Sequence, residues 1–409
     1  MKIGLRVTSV LRKKIILAIA SLFLAFALSE ITLRLLQDKR IEPTACRQRD
    51  PILDHSLVPN STCRFKTREW DITYKINSIG LRAGEVSAKN DDEIRILFLG
   101  DSFVEGFGVN VENRFTELIE DELRNKLKNI NVINAGISSY SPILELEFLK
   151  WNFDSIQPDI VVVGLDMTDF KDEIGYYNFI RERDLKDVKK QEKPDSPDDY
   201  IAALGEINAK QKNIQEFKKE TEWQQNENLS LVTRLKILMR YFKLYVMLTN
   251  YIKDTLNKPY LTEGSPPLIE GDIETDLFAI ARNDLPKDVY ESLWRLPRKS
   301  LSDFADYSHE KNFKLIFFTY PHGMQADGEQ WSKGRLTRGF IRGKTYSTKP
   351  LEDLIKIGEE LNVQTLNLQE SFRENSHQKL YFDFDGHWNK EGHKVVAQAF
   401  LAFLTSKIL

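Results

Sequence analysis

The stretch Ile94-Arg95-Ile96-Leu97-Phe98-Leu99-Gly100-Asp101-Ser102-Phe103 decides the fold class. A short apolar run stops at Gly-Asp-Ser, and an amphipathic stretch follows from Phe115 to Leu127. That pattern predicts a buried β-strand, a tight turn and a helix. The turn sets a serine hydroxyl at the C-terminal edge of a parallel sheet, where open α/β folds bind their ligands. It also leaves backbone N–H groups at a helix start, free to face an anion. A nucleophile and part of an oxyanion site then come from one turn. The structural alternative is a serine that caps the helix. Gly-Asp-Ser arises by chance in roughly one chain in ten of this length, so the motif needs partners elsewhere.

Two more strands follow on the same plan. Ile130-Asn131-Val132-Ile133-Asn134 ends in Ala135-Gly136-Ile137-Ser138-Ser139-Tyr140, and the spacing from Ser141 to Phe153 predicts a helix with Pro142 at its start. Gly136 sits where strand meets loop, either as a turn glycine or as a donor of a second oxyanion N–H. The run from Asp159 to Leu165 is β-branched and apolar, as a strand covered on both faces should be. It leads into Asp166-Met167-Thr168-Asp169 and then Asp172-Glu173. These acids read as loop carboxylates or helix caps in preference to a metal site. Strands alternating with helices predict a three-layer α/β/α, flavodoxin-like sheet of mostly parallel strands. Further strands are expected at 314–320 and 363–368, and helices at 350–361 and 390–404.

The whole chain bounds the function class. With 409 residues, 29% charged residues and a net charge of -3, it offers no electrostatic reason to expect nucleic acid. Gly-rich phosphate loops and zinc-type Cys/His clusters are absent from the sequence, so neither cofactor nor metal is expected. Lys2, Arg6, Arg12, Lys13 and Lys14 precede the apolar run Ile15 to Leu28, which extends through Ile31 to Leu36. Positive residues before a hydrophobic segment predict a basic cytoplasmic N-terminus (1–14) and a signal-anchor (15–36) spanning the inner membrane, with the rest exported. A cleaved signal peptide is the rival reading, because Ala25-Phe26-Ala27 is an A-x-A-like site. The two cysteines, Cys46 and Cys63, lie just beyond and read as a disulfide in an oxidising compartment. Segment 37–90 is expected as an exported lead-in packed on the core, with an alternating strand at 70–76. Segment 180–300 changes character, with dense charge and then helical spacing, and is read as a helical insertion or substrate-shaping cap.

The last chemistry-bearing stretch is Tyr381-Phe382-Asp383-Phe384-Asp385-Gly386-His387-Trp388-Asn389. Asp and His two apart on an extended loop point the same way. The carboxylate then holds Nδ1–H while Nε2 faces a nucleophile, the base-and-orienter pair that a weakly nucleophilic serine needs. Asp385 is preferred over Asp383 as orienter. His393 is expected to pack on its helix. Asp101, Asp169, His322, Trp331 and Arg335 are candidate substrate contacts, with caps, turns and solvated loops as their structural alternatives.

Together these residues resemble the SGNH/GDSL hydrolase family, from about Asp91 to Leu404. Gly100-Asp101-Ser102-Phe103 is similar to the nucleophile block, Asn134-Ala135-Gly136 to the oxyanion glycine block, and Asp385-Gly386-His387 to the acid/base block. The resemblance implies Ser102 as nucleophile, His387 as base and Asp385 as its orienter. It implies oxyanion donation from Ser102 and Gly136. The family's third block has Gly-x-Asn-Asp, where this chain has Asp166-Met167-Thr168-Asp169, so Thr168 is the expected replacement donor. The family's usual Asp-x-x-His is Asp-x-His here, similar to polysaccharide O-acetyltransferase relatives. The expected activity is therefore ester hydrolysis or acetyl transfer on acylated envelope glycans or exopolysaccharide, on the periplasmic side. A catalytically weak glycan- or partner-binding protein of the envelope is the alternative.

Overall fold

The computed structural model describes scattered positions between 13 and 29 and residues 46–126, 129–185, 278–281, 285–338 and 340–407. The chain divides into two compact units, residues 1–40 with 210–262, and residues 41–209 with 263–409. The first lies almost wholly outside the described residues, and so does most of the expected anchor. Among the described residues no helix is long and apolar enough to cross a membrane. Residues 186–277, the bulk of the expected insertion, also lie outside them.

The second unit is built on a five-stranded parallel sheet. Its strands are β5 (Ile94–Leu99), β6 (Ile130–Asn134), β7 (Ile160–Leu165), β8 (Lys314–Thr319) and β9 (Gln364–Asn367). Their order is β6-β5-β7-β8-β9, with every neighbouring pair parallel. This is the flavodoxin-like order, which reverses direction at β5. The apolar run 94–99 forms the inner strand flanked by β6 and β7, and β7 is buried along its whole length. Strands buried on both faces require helices above and below. On one side Phe115–Arg124 (α2) packs against Lys390–Lys407 (α11). Pro142–Ile156 (α3), Asp169–Leu185 (α4) and Arg295–Lys311 (α6) pack together as the other group. Right-handed crossovers place the two groups on opposite faces.

The elements between these are short. They are Ser102–Glu105 (α1), Lys287–Leu293 (α5), Gly323–Ala326 (α7), Gly334–Thr337 (α8), Lys349–Glu360 (α9) and Gln369–Glu374 (α10). Helix α6 runs through position 300, so the expected insertion does not end there. Its last part, with Trp294 and Leu301 buried, belongs to the layer that covers the sheet. Helix α10 had no sequence expectation, being too short to show a period.

The lead-in is a small structure of its own. Two hairpins form it, β1 (Arg47–Asp50) with β2 (Asp54–Leu57) and β3 (Thr62–Lys66) with β4 (Asp71–Lys75). Strands β3 and β4 alternate exposed and buried residues, as their sequence alternation predicts. Phe65, Trp70, Ile72, Tyr74 and Ile76 make a second apolar core with Leu57, and Phe107 and Phe382 of the main unit pack against it. The expected Cys46–Cys63 disulfide is present inside this core, with a Cα–Cα distance of 5.9 Å. A two-stranded hairpin is marginal alone, so the cross-link and the shared core hold the pair together. Reducing the bridge or making Cys63→Ser should lower the unfolding free energy by about 3 kcal/mol, measured by urea denaturation followed through Trp70 fluorescence.

Candidate active site

The turn after β5 folds as its residues dictate. Asp101 is the N-cap of α1, its carboxylate accepting from Phe103 N–H at 2.8 Å. Ser102 is the first helical residue, so its own N–H has no intrahelical acceptor. It finds no other partner among the described residues. The loop closed by the bridge between Tyr381 and Trp388 brings Asp385 and His387 across. Gly386 has a φ of +94°, and a Cβ there would lie 2.7 Å from the Trp331 ring. Only glycine permits that turn at that distance.

Ser102, His387 and Asp385 meet in one line. His387 Nδ1 lies 2.5 Å from Asp385 Oδ1, and His387 Nε2 lies 2.7 Å from Ser102 Oγ. With Nδ1–H donated to Asp385, Nε2 accepts from the serine hydroxyl. The stretches that resemble the SGNH/GDSL family's first three blocks stand on the ends of β5, β6 and β7, and the one that resembles its acid/base block reaches them from the loop before α11. The imidazole is packed between Phe103 (4.8 Å between ring centroids) and Phe107 (5.0 Å). Burial pulls the His387 pKa down, but the charge and hydrogen bond of Asp385, with Asp101 and Glu105 behind, raise it overall. Burial alone would raise Asp385; the facing His387 and its hydrogen bonds hold that carboxyl below the usual range. Asp383, the rival orienter, is turned to Ser332 (3.0 Å) and Lys379 (2.7 Å).

No family model and no curated protein matches the sequence. Among solved structures the chain is similar to an acetyl xylan esterase, at TM-score 0.36 and 12% identity over 76% of this chain and 100% of that one. It is similar to an acetylxylan esterase from Geobacillus stearothermophilus, at TM-score 0.34 and 14% identity over 76% of this chain and 95% of that one. A third is TesA, at TM-score 0.35 and 9% identity over 76% and 98%. Likeness at these scores assigns no activity.

The oxyanion region departs from the sequence expectation. Gly136 N–H donates to Asn134 Oδ1 at 3.0 Å, and the residue is buried away from the cavity beside Ser102. Its glycine character serves close packing, since a Cβ would stand 2.3 Å from Glu105 N. The residue that reaches the cavity is Ser139, three positions on. Ser139 has a φ of +67° and its N–H has no partner among the described residues. A serine in the left-handed region is held there by its surroundings. Ser138 N–H and Oγ–H both donate to Glu105, at 2.5 and 2.8 Å, and His55 Nε2–H donates to the Ser138 carbonyl at 2.9 Å. Thr168 does line the cavity, but its hydroxyl donates to Asp166 Oδ1 at 2.7 Å and its N–H to the same oxygen at 2.6 Å. A hydroxyl carries one hydrogen, so Thr168 in this rotamer has none left for an oxyanion.

The cavity has a volume of about 270 Å³ and is walled by Phe278, His322, Trp331, Arg338 and Phe384 in addition to the triad. His322 is present but bound: its Nε2 lies 2.5 Å from Asp166 Oδ2, and its ring packs edge-on against Phe103 and Phe278. Trp331 is a wall, its Nε1–H donating to the Phe384 carbonyl at 3.1 Å. Asp101 touches the cavity, while its Oδ1 accepts from Tyr320 Oη–H at 2.8 Å. Two expected contacts fail. Asp169 is buried at the start of α4, its carboxylate turned back to accept from Asp166 N–H at 2.7 Å. Arg335 is wholly buried, donating to the carbonyls of Asp327, Gly328, Gln330 and Lys344. His393 packs as expected, its Nδ1 accepting from Phe115 N–H at 3.3 Å, and burial lowers its pKa to about 3.

Two outcomes follow from these environments. Burial and the nearby charge of Asp166 raise Asp101 to about 7, against an ordinary carboxyl value of about 3.9. Between those values the folded chain keeps a proton that the unfolded chain has lost. The stability this group contributes is full below about pH 4 and disappears as pH rises through about 7. Asp101→Asn should therefore flatten the fall in unfolding free energy between about pH 4 and pH 7, read from urea titrations at stepped pH. Arg335→Ala should cost about 2–4 kcal/mol, because each buried carbonyl left unpaired costs roughly 1–3, and it should appear as a lower melting temperature.

Proposed function

We propose that the chain is a serine-dependent ester hydrolase or acyl transferase. The supporting observation is the continuous relay from Asp385 through His387 to Ser102, with distances of 2.5 and 2.7 Å. In this reading His387 Nε2 takes the Ser102 proton as Oγ attacks an ester carbonyl. The oxygen of the tetrahedral species faces the N–H groups of Ser102 and Ser139. His387 then protonates the leaving alkoxide, which departs as an alcohol and leaves acyl-Ser102. Water attacks that acyl group in hydrolysis, and a sugar hydroxyl attacks it in transfer; His387 serves again as base, and Ser102 regains its proton.

The proposed substrate is an acylated glycan of the cell envelope or an exopolysaccharide. The aromatic wall of Phe278, Trp331 and Phe384 supports it, because flat rings match the apolar faces of sugars. Two of the similar structures are named as acetyl xylan esterases. The proposed location is the periplasmic face of the inner membrane, supported by the basic, apolar N-terminus and by the disulfide. A weakly catalytic binding protein has one observation in its favour: Thr168 has its hydroxyl hydrogen committed to Asp166. Losing one oxyanion donor costs about 3–4 kcal/mol of barrier.

The test is turnover of p-nitrophenyl acetate by the full-length protein against Ser102→Ala. Activity should fall at least about a thousandfold in the mutant. Neutral His387 is required, so wild-type kcat/KM should fall as pH drops through a midpoint above the ordinary imidazole value of about 6.5. Equal background rates in both folded proteins favour the binding protein. Adding candidate glycan acceptors to the active enzyme separates transfer from hydrolysis.

A further inference from the structure

The acid/base loop is held from outside the α/β core. The turn joining β3 to β4 is pinned by Thr67, whose Oγ1 accepts from Glu69 N–H at 3.1 Å and Trp70 N–H at 3.2 Å. Thr67 N–H donates to the Trp70 carbonyl at 2.8 Å. That turn presents Glu69 to the loop 383–387. The Glu69 carboxylate accepts from Phe384 N–H, at 3.1 Å to each oxygen, and from Asp385 N–H at 2.8 Å to Oε2. Next to it, the Arg68 guanidinium lies 3.0 Å from the Phe384 ring centroid. The same hairpin core reaches His387 from behind, with Trp70 against Phe107 at 5.1 Å and Phe107 against His387 at 5.0 Å.

We infer that Glu69 is a positioning residue for the acid/base loop: by accepting the N–H groups of Phe384 and Asp385 it fixes where the Asp385 carboxylate meets His387. The inference rests on the reading of Asp385 and His387 as orienter and base. The physical demand is for an acceptor at the right reach. Oε2 alone takes both N–H groups, so an amide oxygen in the same place can take both. Aspartate keeps the charge but is one methylene shorter and withdraws the oxygen. Glu69 touches neither substrate nor the reacting atoms; it acts through Asp385, and a small displacement of such a group has large consequences for rate.

The experiment uses the full-length protein with Glu69→Gln and Glu69→Asp, each checked for an unchanged melting profile. Glu69→Gln should keep kcat on p-nitrophenyl acetate within about threefold, and Glu69→Asp should lose about a hundredfold. The acid limb of kcat/KM should move to lower pH in Glu69→Asp only, because a displaced Asp385 no longer raises His387. The downfield Nδ1–H proton resonance of His387 should persist in wild type and Glu69→Gln and disappear in Glu69→Asp. Full activity with an unmoved limb in Glu69→Asp overturns the inference, and so does equal impairment of both variants. A resonance missing from the wild type also overturns it, because the bond to be positioned is then absent. An inactive wild type whose resonance still follows the Gln and Asp order refutes the esterase reading and leaves the role of Glu69 standing.

Discussion

A 2.7 Å hydrogen bond from Ser102 to His387 closes a span of 285 residues. Most of the described architecture bears on that closure. The serine stands at the end of β5, the strand at which the sheet order reverses, so the loops after β6 and β7 lie on either side of it. The histidine comes from the loop before α11, which packs against α2, the helix that follows the serine turn. A sheet ordered differently would separate the Ser139 loop from Ser102. The parallel sheet, its two helix layers and the last helix together define one edge where four loops converge.

The second constraint is the pairing of buried charge behind that edge. Glu105 is fully buried one turn after Ser102, and burial works to raise its pKa. Arg47 and the two bonds from Ser138 outweigh burial and hold the carboxyl below its ordinary range. Unpaired, such a carboxylate would be strongly destabilising. Paired, it locks the Ser139 turn to the helix that begins at Ser102. Arg82, also buried, donates to the carbonyls of Glu105, Gly106 and Val109 and caps the Tyr74 ring at 3.8 Å. Arg47, His55, Glu69 and Arg82 all come from the lead-in. That segment is therefore a structural support for the site as well as a connection to it.

The core was legible in the sequence because its signals are local. Apolar runs at 94–99, 130–134 and 159–165 became strands within a residue of their expected limits, and Asp385 and His387 do meet, though through a left-handed Gly386 and not the extended loop the spacing suggested. The misplaced features depend on distant partners or on backbone shape. Gly136 drew the oxyanion role because it is the glycine of the motif, yet its backbone is packed against Glu105 and its N–H is taken by Asn134. Ser139 takes a left-handed φ that a serine gives no sequence signal for. Its only cue is its place in Ile137-Ser138-Ser139-Tyr140, a polar pair between buried apolar residues. Arg335 was a candidate substrate contact, but a guanidinium bound to four backbone carbonyls cannot be told from a free one by composition. Glu69 lies more than three hundred residues from the loop it holds, and only the fold brings the two together.

The central claim is that Ser102 is made nucleophilic by His387, and covalent trapping tests it most directly. The full-length native protein would be treated with a fluorophosphonate and the modified residue located by mass spectrometry. The relay geometry predicts a single adduct on Ser102 and its loss in His387→Ala, whose fold is confirmed by its melting profile. A folded wild-type protein whose Ser102 stays unmodified, or labels equally without His387, would contradict it.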